Sequence, residues 1–229
     1  MLTGYTGKIL HVDLSQGKIW VETPDESFYR TYIGGSAMGL VYILKDVPAG
    51  IDGLDPANVL TWMLSAPTGV PISGQSRMCV NARSPLVDGI GDSQCGGFFP
   101  AELKFAGFDG IVFTGKAPTY QYLWIHDGEA ELRDASALWG KTTTQAEAHI
   151  KQELEDPKIE IAQCGPAAEK GTRLAAIINM GNRANGRTGM GAVMASKNLR
   201  AVAVRGKTRR LPLANAQRLG QLARWGAGD

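Results

Sequence analysis

With 229 residues, 44% of them hydrophobic and 20% charged, the chain has a globular composition and room for one large core or two small ones. Its net charge of +2 hides a split: residues 1–169 carry 12 Lys/Arg against 21 Asp/Glu, and residues 170–229 carry 12 Lys/Arg against one acid, Asp229. The basic block suggests an anionic partner but holds a single aromatic, Trp225, which sets it against nucleic acid, where bases are stacked on aromatic rings.

In chain order, residues 8–23 alternate around Ser15-Gln16-Gly17, with Ile9, His11 and Leu14 before the turn and Ile19 and Val21 after it, which predicts a β-hairpin. Between 29 and 46, Met38, Leu40, Val41, Ile43 and Leu44 recur at helical spacing behind Gly34-Gly35-Ser36. Ser36 is the expected N-cap and Pro48 the stop. Val59–Ser65 reads as a buried strand, and Ala66-Pro67-Thr68-Gly69 as a turn. The loop Ser73–Ser76 then leads into a strand that starts at Arg77. Residues 88–99 form a glycine-rich passage, and Pro100 opens a short helix over 100–106.

A strand at 110–114 comes next, followed by a hairpin of 120–126 with 129–133 across Asp127-Gly128. The clearest helix spans 144–156, where Thr144 and Glu147 have capping-box spacing and Ile150 and Leu154 repeat at four. Strands are expected at 159–163, 175–179 and 199–205, then a basic linker at 206–210. From Leu213 a helix-like pattern begins, and it breaks off at Trp225 without a partner for its apolar face. Mixed strands with a few helices give an α+β class.

The stretch 179–200, NMGNRANGRTGMGAVMASKNLR, organises the chain. Gly181, Gly186, Gly189 and Gly191 surround Arg183 and Arg187. Glycines allow close backbone approach, converging N–H groups seat anions, and guanidinium forks suit phosphate or carboxylate. The same composition also fits a tight surface loop with solvated arginines. Two further loops share this character, 73–79 with Arg77 and 92–97 with Gln94, Cys95, Gly96 and Gly97. Together the three suggest one extended anionic ligand. His11, His126 and His149 lack partners at metal-ligand spacing, and Cys79, Cys95 and Cys164 form no C-x-x-C. No run of 18 apolar residues and no signal-peptide pattern occur, so a cytoplasmic protein with no membrane span is expected.

The segments AELKFAGFDGIVFTGKAP (101–118), LRDASALWGK (132–141) and RANGRTGMGAVMASKNLRAVAVRG (183–206) resemble the N-terminal domain of the aldehyde ferredoxin oxidoreductases. These are tungsten or molybdenum bis-pyranopterin enzymes, and the resemblance runs from Tyr5 to Gly206. It implies a base of two packed β-sheets with a few helices, carrying two pterins whose phosphates are bridged by magnesium. Arg77 matches the arginine between pterin and iron–sulfur cluster. Gln94 stands for an asparagine whose backbone carbonyl holds magnesium, and Ala184 matches the second such carbonyl. Cys95 replaces serine or another small residue, Gly96 and Gly97 match pterin-contacting glycines, and Arg183 matches a pterin-binding arginine. Gly186 and Arg187 complete the expected cofactor-binding set.

On this resemblance, residues 1–208 form the pterin-binding domain and 209–229 a linker with the start of a further domain. The family's C-x-x-C-x-x-x-C group and later cysteine, which hold a 4Fe-4S cluster, are absent from this sequence, as is the substrate channel. The expected function is therefore half a cofactor site, inactive alone. The site would be completed by a C-terminal part in cis or in trans and would oxidise an aldehyde with ferredoxin as acceptor. The alternative is a non-catalytic metal–pterin carrier or a degenerate fragment. An open pterin face further suggests an oligomer.

Overall fold

The computed structural model describes residues 2–228. β1 (Ile9–Asp13) and β2 (Lys18–Glu22) form the expected hairpin, with Ile9 opposite Glu22. Two helices follow where one was expected, α1 (Glu26–Tyr32) and α2 (Ser36–Asp46). The break falls where Gly34 bridges to Ser65, so closely that a Cβ at Gly34 would lie 2.7 Å from the Ser65 Cα. Gly35, not Ser36, is the N-cap of α2, and the Ser36 hydroxyl donates to Asp92 at 2.8 Å instead.

β3 (Leu60–Met63), β4 (Arg77–Arg83) and β5 (Ile90–Gly96) come next, then α3 (Phe99–Phe105), β6 (Gly110–Thr114), β7 (Gln121–His126) and β8 (Glu129–Asp134). α4 (Thr143–Glu153) starts one residue early. Its capping box is Thr142 with Gln145, not Thr144 with Glu147: the Gln145 amide oxygen accepts from Thr142 N at 3.0 Å and Thr142 Oγ1 accepts from Gln145 N at 3.3 Å. In a run of three threonines the pair giving both reciprocal bonds sets the start. β9 (Glu160–Gln163), α5 (Pro166–Glu169), β10 (Ile177–Asn179), β11 (Arg183–Asn185), α6 (Met190–Ser196), β12 (Leu199–Arg205) and α7 (Ala216–Gly228) complete the chain. Among the described residues no helix is long and apolar enough to cross a membrane.

The strands form two mixed six-stranded sheets, in the orders β2-β1-β6-β3-β4-β5 and β11-β10-β9-β12-β7-β8. β1 with β6 and β12 with β7 run parallel; the other pairs are antiparallel. Strand alternation distributes the apolar residues over three cores. Leu10, Trp62 and Val80 of the first sheet meet Leu123, Ile125 and Val202 of the second in one central cluster, to which α3 adds Leu103 and α6 adds Val193. Ile9 and Met63 point the other way, under Tyr29 and Tyr42 of α1 and α2. Ala201 and Ala203 likewise point outward beneath Ile150 of α4. The architecture is α+β, as expected from the sequence.

Part of the basic C-terminal block is turned inward: Lys197 and Arg200 are buried and Arg205 is half-buried, while the other basic residues of the block are exposed. Arg200 is buried and donates to Glu169 at 2.6 Å, Gln163 at 3.1 Å, the carbonyl of Lys141 at 2.9 Å and that of Cys164. Lys197 is also buried and donates to the carbonyls of Pro56, Asn58 and Gly115; burial pushes its ammonium down to about 8, with Asp55 pulling it back. Arg205 and Arg209 converge on Glu102. α7 carries no buried residue and leaves Leu222 and Trp225 exposed.

Candidate functional site

The three stretches singled out in the sequence converge where the first sheet ends on β5 and the second on β11. They are strand ends more than loops: Arg77 opens β4, Gln94, Cys95 and Gly96 close β5 with Gly97 following, and Arg183 and Ala184 lie in β11 just before Gly186 and Arg187. Glycines at 91 and 96 disguise β5 in the sequence, yet its register with β4 is unbroken and sets Arg77 opposite Gly96 and Cys79 opposite Gln94. Alternation turns Asp92 and Gln94 outward and buries Ser93 and Cys95.

Gly97 is needed as glycine. Its φ is +111°, and a Cβ there would run into the Asn179 amide oxygen and stand 3.3 Å from Cγ of Arg183. The backbone therefore presses directly on the β10–β11 hairpin. Opposite the hairpin turn, where Met180 and Gly181 have φ of 51° and 67°, the Phe98 N–H points at the Met180 sulfur at 3.1 Å.

Two depressions lie along this junction. The first, of about 550 Å³, is lined by Gln75, Ser76, Arg77, Gly97, Phe98 and Arg183. The second, of about 540 Å³, is lined by Asp92, Ser93, Gln94, Ala184, Gly186 and Arg187. Every expected site residue except Cys95 borders one of them, Gly96 the first. Cys95 is buried beneath the glycines, where its thiol donates to the Gly96 carbonyl at 3.1 Å. Burial raises its pKa against the opposing pull of Asn179, Arg183 and Arg77, so it remains a neutral, packed thiol.

The electrostatics are one-sided. Arg30, Arg83, Arg133, Arg173, Arg200, Arg205 and Arg209 each meet a carboxylate. Among the described residues Arg77, Arg183 and Arg187 meet none and stay exposed at the two depressions; Arg210, Arg218 and Arg224 of the C-terminal segment are also unpaired but border neither. Asp92 is the one carboxylate bordering them, and its oxygen is engaged by Ser36. Unneutralised guanidinium groups around backbone that glycines leave open are a donor set whose chemistry suits anions. Among the described residues no group of three or more His, Cys, Asp or Glu side chains is gathered for a metal. A cation here would need backbone carbonyls and the ligand's own oxygens.

Sequence reasoning passed over the polar residues beneath the two depressions: Ser93, Asn179 and Asn185, all buried. The signal available was an asparagine closing each of two short strands, Ile177-Ile178-Asn179 and Arg183-Ala184-Asn185.

A family model described as aldehyde ferredoxin oxidoreductase, N-terminal domain, matches residues 9–206. The chain is 44% identical over 206 residues to the tungsten-containing aldehyde ferredoxin oxidoreductase of Pyrococcus abyssi, covering 90% of this chain and 34% of that protein. To the protein of the same description in Pyrococcus furiosus it is 42% identical over 215 residues, 94% of this chain and 35% of that one. Among solved structures it is similar to the active-site complex BamBC of benzoyl coenzyme A reductase with 1,5-dienoyl-CoA. The TM-score is 0.88 at 36% identity, over 91% of this chain and 32% of the other. The chain thus spans about a third of the length of the relatives it matches.

Proposed function

The chain belongs to the aldehyde ferredoxin oxidoreductase N-terminal domain family, and from that premise we propose that it is the pterin-binding base of a tungsten oxidoreductase. One observation supports this above the rest: Arg77, Arg183 and Arg187 line two adjoining depressions with no carboxylate paired to them. A metal–pterin bearing phosphates is a polyanion that this donor set fits.

In this reading Arg77 and Arg183 orient the ligand over the first depression, and Gly96 and Gly97 let its ring system approach the backbone. Gln94 and Ala184 would offer carbonyl oxygens to a magnesium ion, and Gly186 and Arg187 close the second depression. Cys95 fills space beneath Gly96. When bound, the tungsten (or molybdenum) centre supplies the two-electron chemistry that converts an aldehyde to a carboxylic acid. Residues of this chain bind and orient. The iron–sulfur cluster, the substrate pocket and the exit of electrons to ferredoxin belong to a C-terminal part, in cis or in trans. The exposed Phe98, 63% accessible beside the first depression, is a contact for that part.

Protein purified anaerobically from its own host is expected to carry tungsten or molybdenum, and pterin fluorescence after oxidation, together with cysteine-containing sequence absent here. Metal and pterin on this chain alone assign a carrier instead. Protein that carries no metal and no pterin overturns the reading.

A further inference from the structure

The two sheets meet at the two depressions edge to edge. β5 ends one sheet and β11 the other, and no backbone ladder joins them. Side chains span the gap. Asn185 Nδ2 donates to the Ser93 carbonyl at 2.7 Å, and the Arg187 backbone N–H donates to Ser93 Oγ at 3.1 Å. Asn179 Nδ2 reaches the Gly96 carbonyl at 3.3 Å and the Cys95 sulfur at 2.9 Å. Asn179 and Asn185 are 1% and 0% accessible.

Both asparagines are poor choices for stability alone. Each leaves its amide oxygen buried without a partner, which costs on the order of 1–3 kcal/mol. What they gain is geometry. Asn179 is the cross-strand partner of Arg183, and Asn185 lies two residues from both Arg183 and Arg187. Each therefore ties an arginine-bearing backbone segment to β5, whose partner strand carries Arg77.

We propose that Asn179 and Asn185 are positioning residues that fix the Arg183–Arg187 segment against β5, so that its guanidinium groups and that of Arg77 address the same anion. The proposal rests on the reading of the site as a polyanion cradle. Neither asparagine touches the ligand.

The test titrates the full chain with inorganic pyrophosphate by calorimetry and follows melting and amide hydrogen exchange in parallel. The double variant Asn179→Ala/Asn185→Ala is expected to bind pyrophosphate about tenfold more weakly, because binding must then also order the unpinned arginine segment. Asn185→Leu keeps the size without adding charge but removes the donor to the Ser93 carbonyl, and should bind as weakly as Asn185→Ala. A purely structural role would lower the melting temperature and leave the affinity of the folded protein unchanged; that result overturns the proposal. If the unaltered protein does not bind pyrophosphate, the cradle reading itself fails, and exchange decides the positioning role. Faster exchange of amides 183–187 in the double variant, with β12 unchanged, then upholds it, and unaltered exchange overturns it.

Discussion

Alanine at both Arg183 and Arg187 is expected to cut the tungsten and pterin retained by the holoenzyme by about a hundredfold or more without loss of folded protein. Each guanidinium is exposed at one of the two depressions and pairs with no carboxylate, so its removal strands no buried charge. Each charge-assisted bond to a phosphate contributes about 1.5–3 kcal/mol, and two such losses give that fold-change. Lysine at either position should recover part of the binding, because a point charge replaces the fork but not its paired geometry. Metal-to-protein ratios after gel filtration, with melting as a control, check this. Full retention in the double variant contradicts the assignment of the cradle.

Lys104→Ala should damage the fold severely, costing about 3–5 kcal/mol, because it leaves a buried carboxylate without its counter-ion. Lys104 is 1% accessible and Asp109 is 0%, and they pair at 2.6 Å. The ammonium also donates to the Gly4 carbonyl at 3.0 Å and lies over the Tyr5 ring. Asp109 accepts from the backbone N–H groups of Thr6 and Gly7 at 3.0 and 2.8 Å. Burial lowers the Lys104 pKa and Asp109 pulls it back up, so the pair survives by mutual neutralisation. Since Lys104 sits on α3, directly after Gly97 and Phe98, its loss should loosen the floor of the first depression as well. Urea unfolding measures the effect. The variant Lys104→Met/Asp109→Leu should lose much less than the sum of its parts; a Lys104→Ala cost under about 1 kcal/mol contradicts this account.

Much of this architecture is legible locally. The hairpins at β1–β2 and β7–β8 follow from alternation and turn residues, and α2 and α4 from helical spacing. Glycines hid what remained. Gly91 and Gly96 concealed β5, and Gly186 and Gly189 concealed both β11 and α6, because a residue that fits any backbone conformation signals none. The charge split showed the basic block but not how its charges are divided. Arg200, Arg205 and Arg209 spend their charge on Glu169 and Glu102, acids from the first part of the chain, and Lys197 spends its own on carbonyls. The convergence of Arg77, Gln94 and Arg183 came from three motifs read together with a family resemblance. The structure adds the edge-to-edge junction that brings them together. Asn179 and Asn185 stayed invisible because burial of a polar side chain between two sheets is a tertiary fact.

The most direct measurement is anomalous diffraction at the tungsten edge on crystals of the protein purified from its host. The account predicts a metal bound to pterin groups that lie over the two depressions, with phosphate density in contact with Arg183 and Arg187. Metal and phosphates seated away from the β5–β11 junction would contradict it.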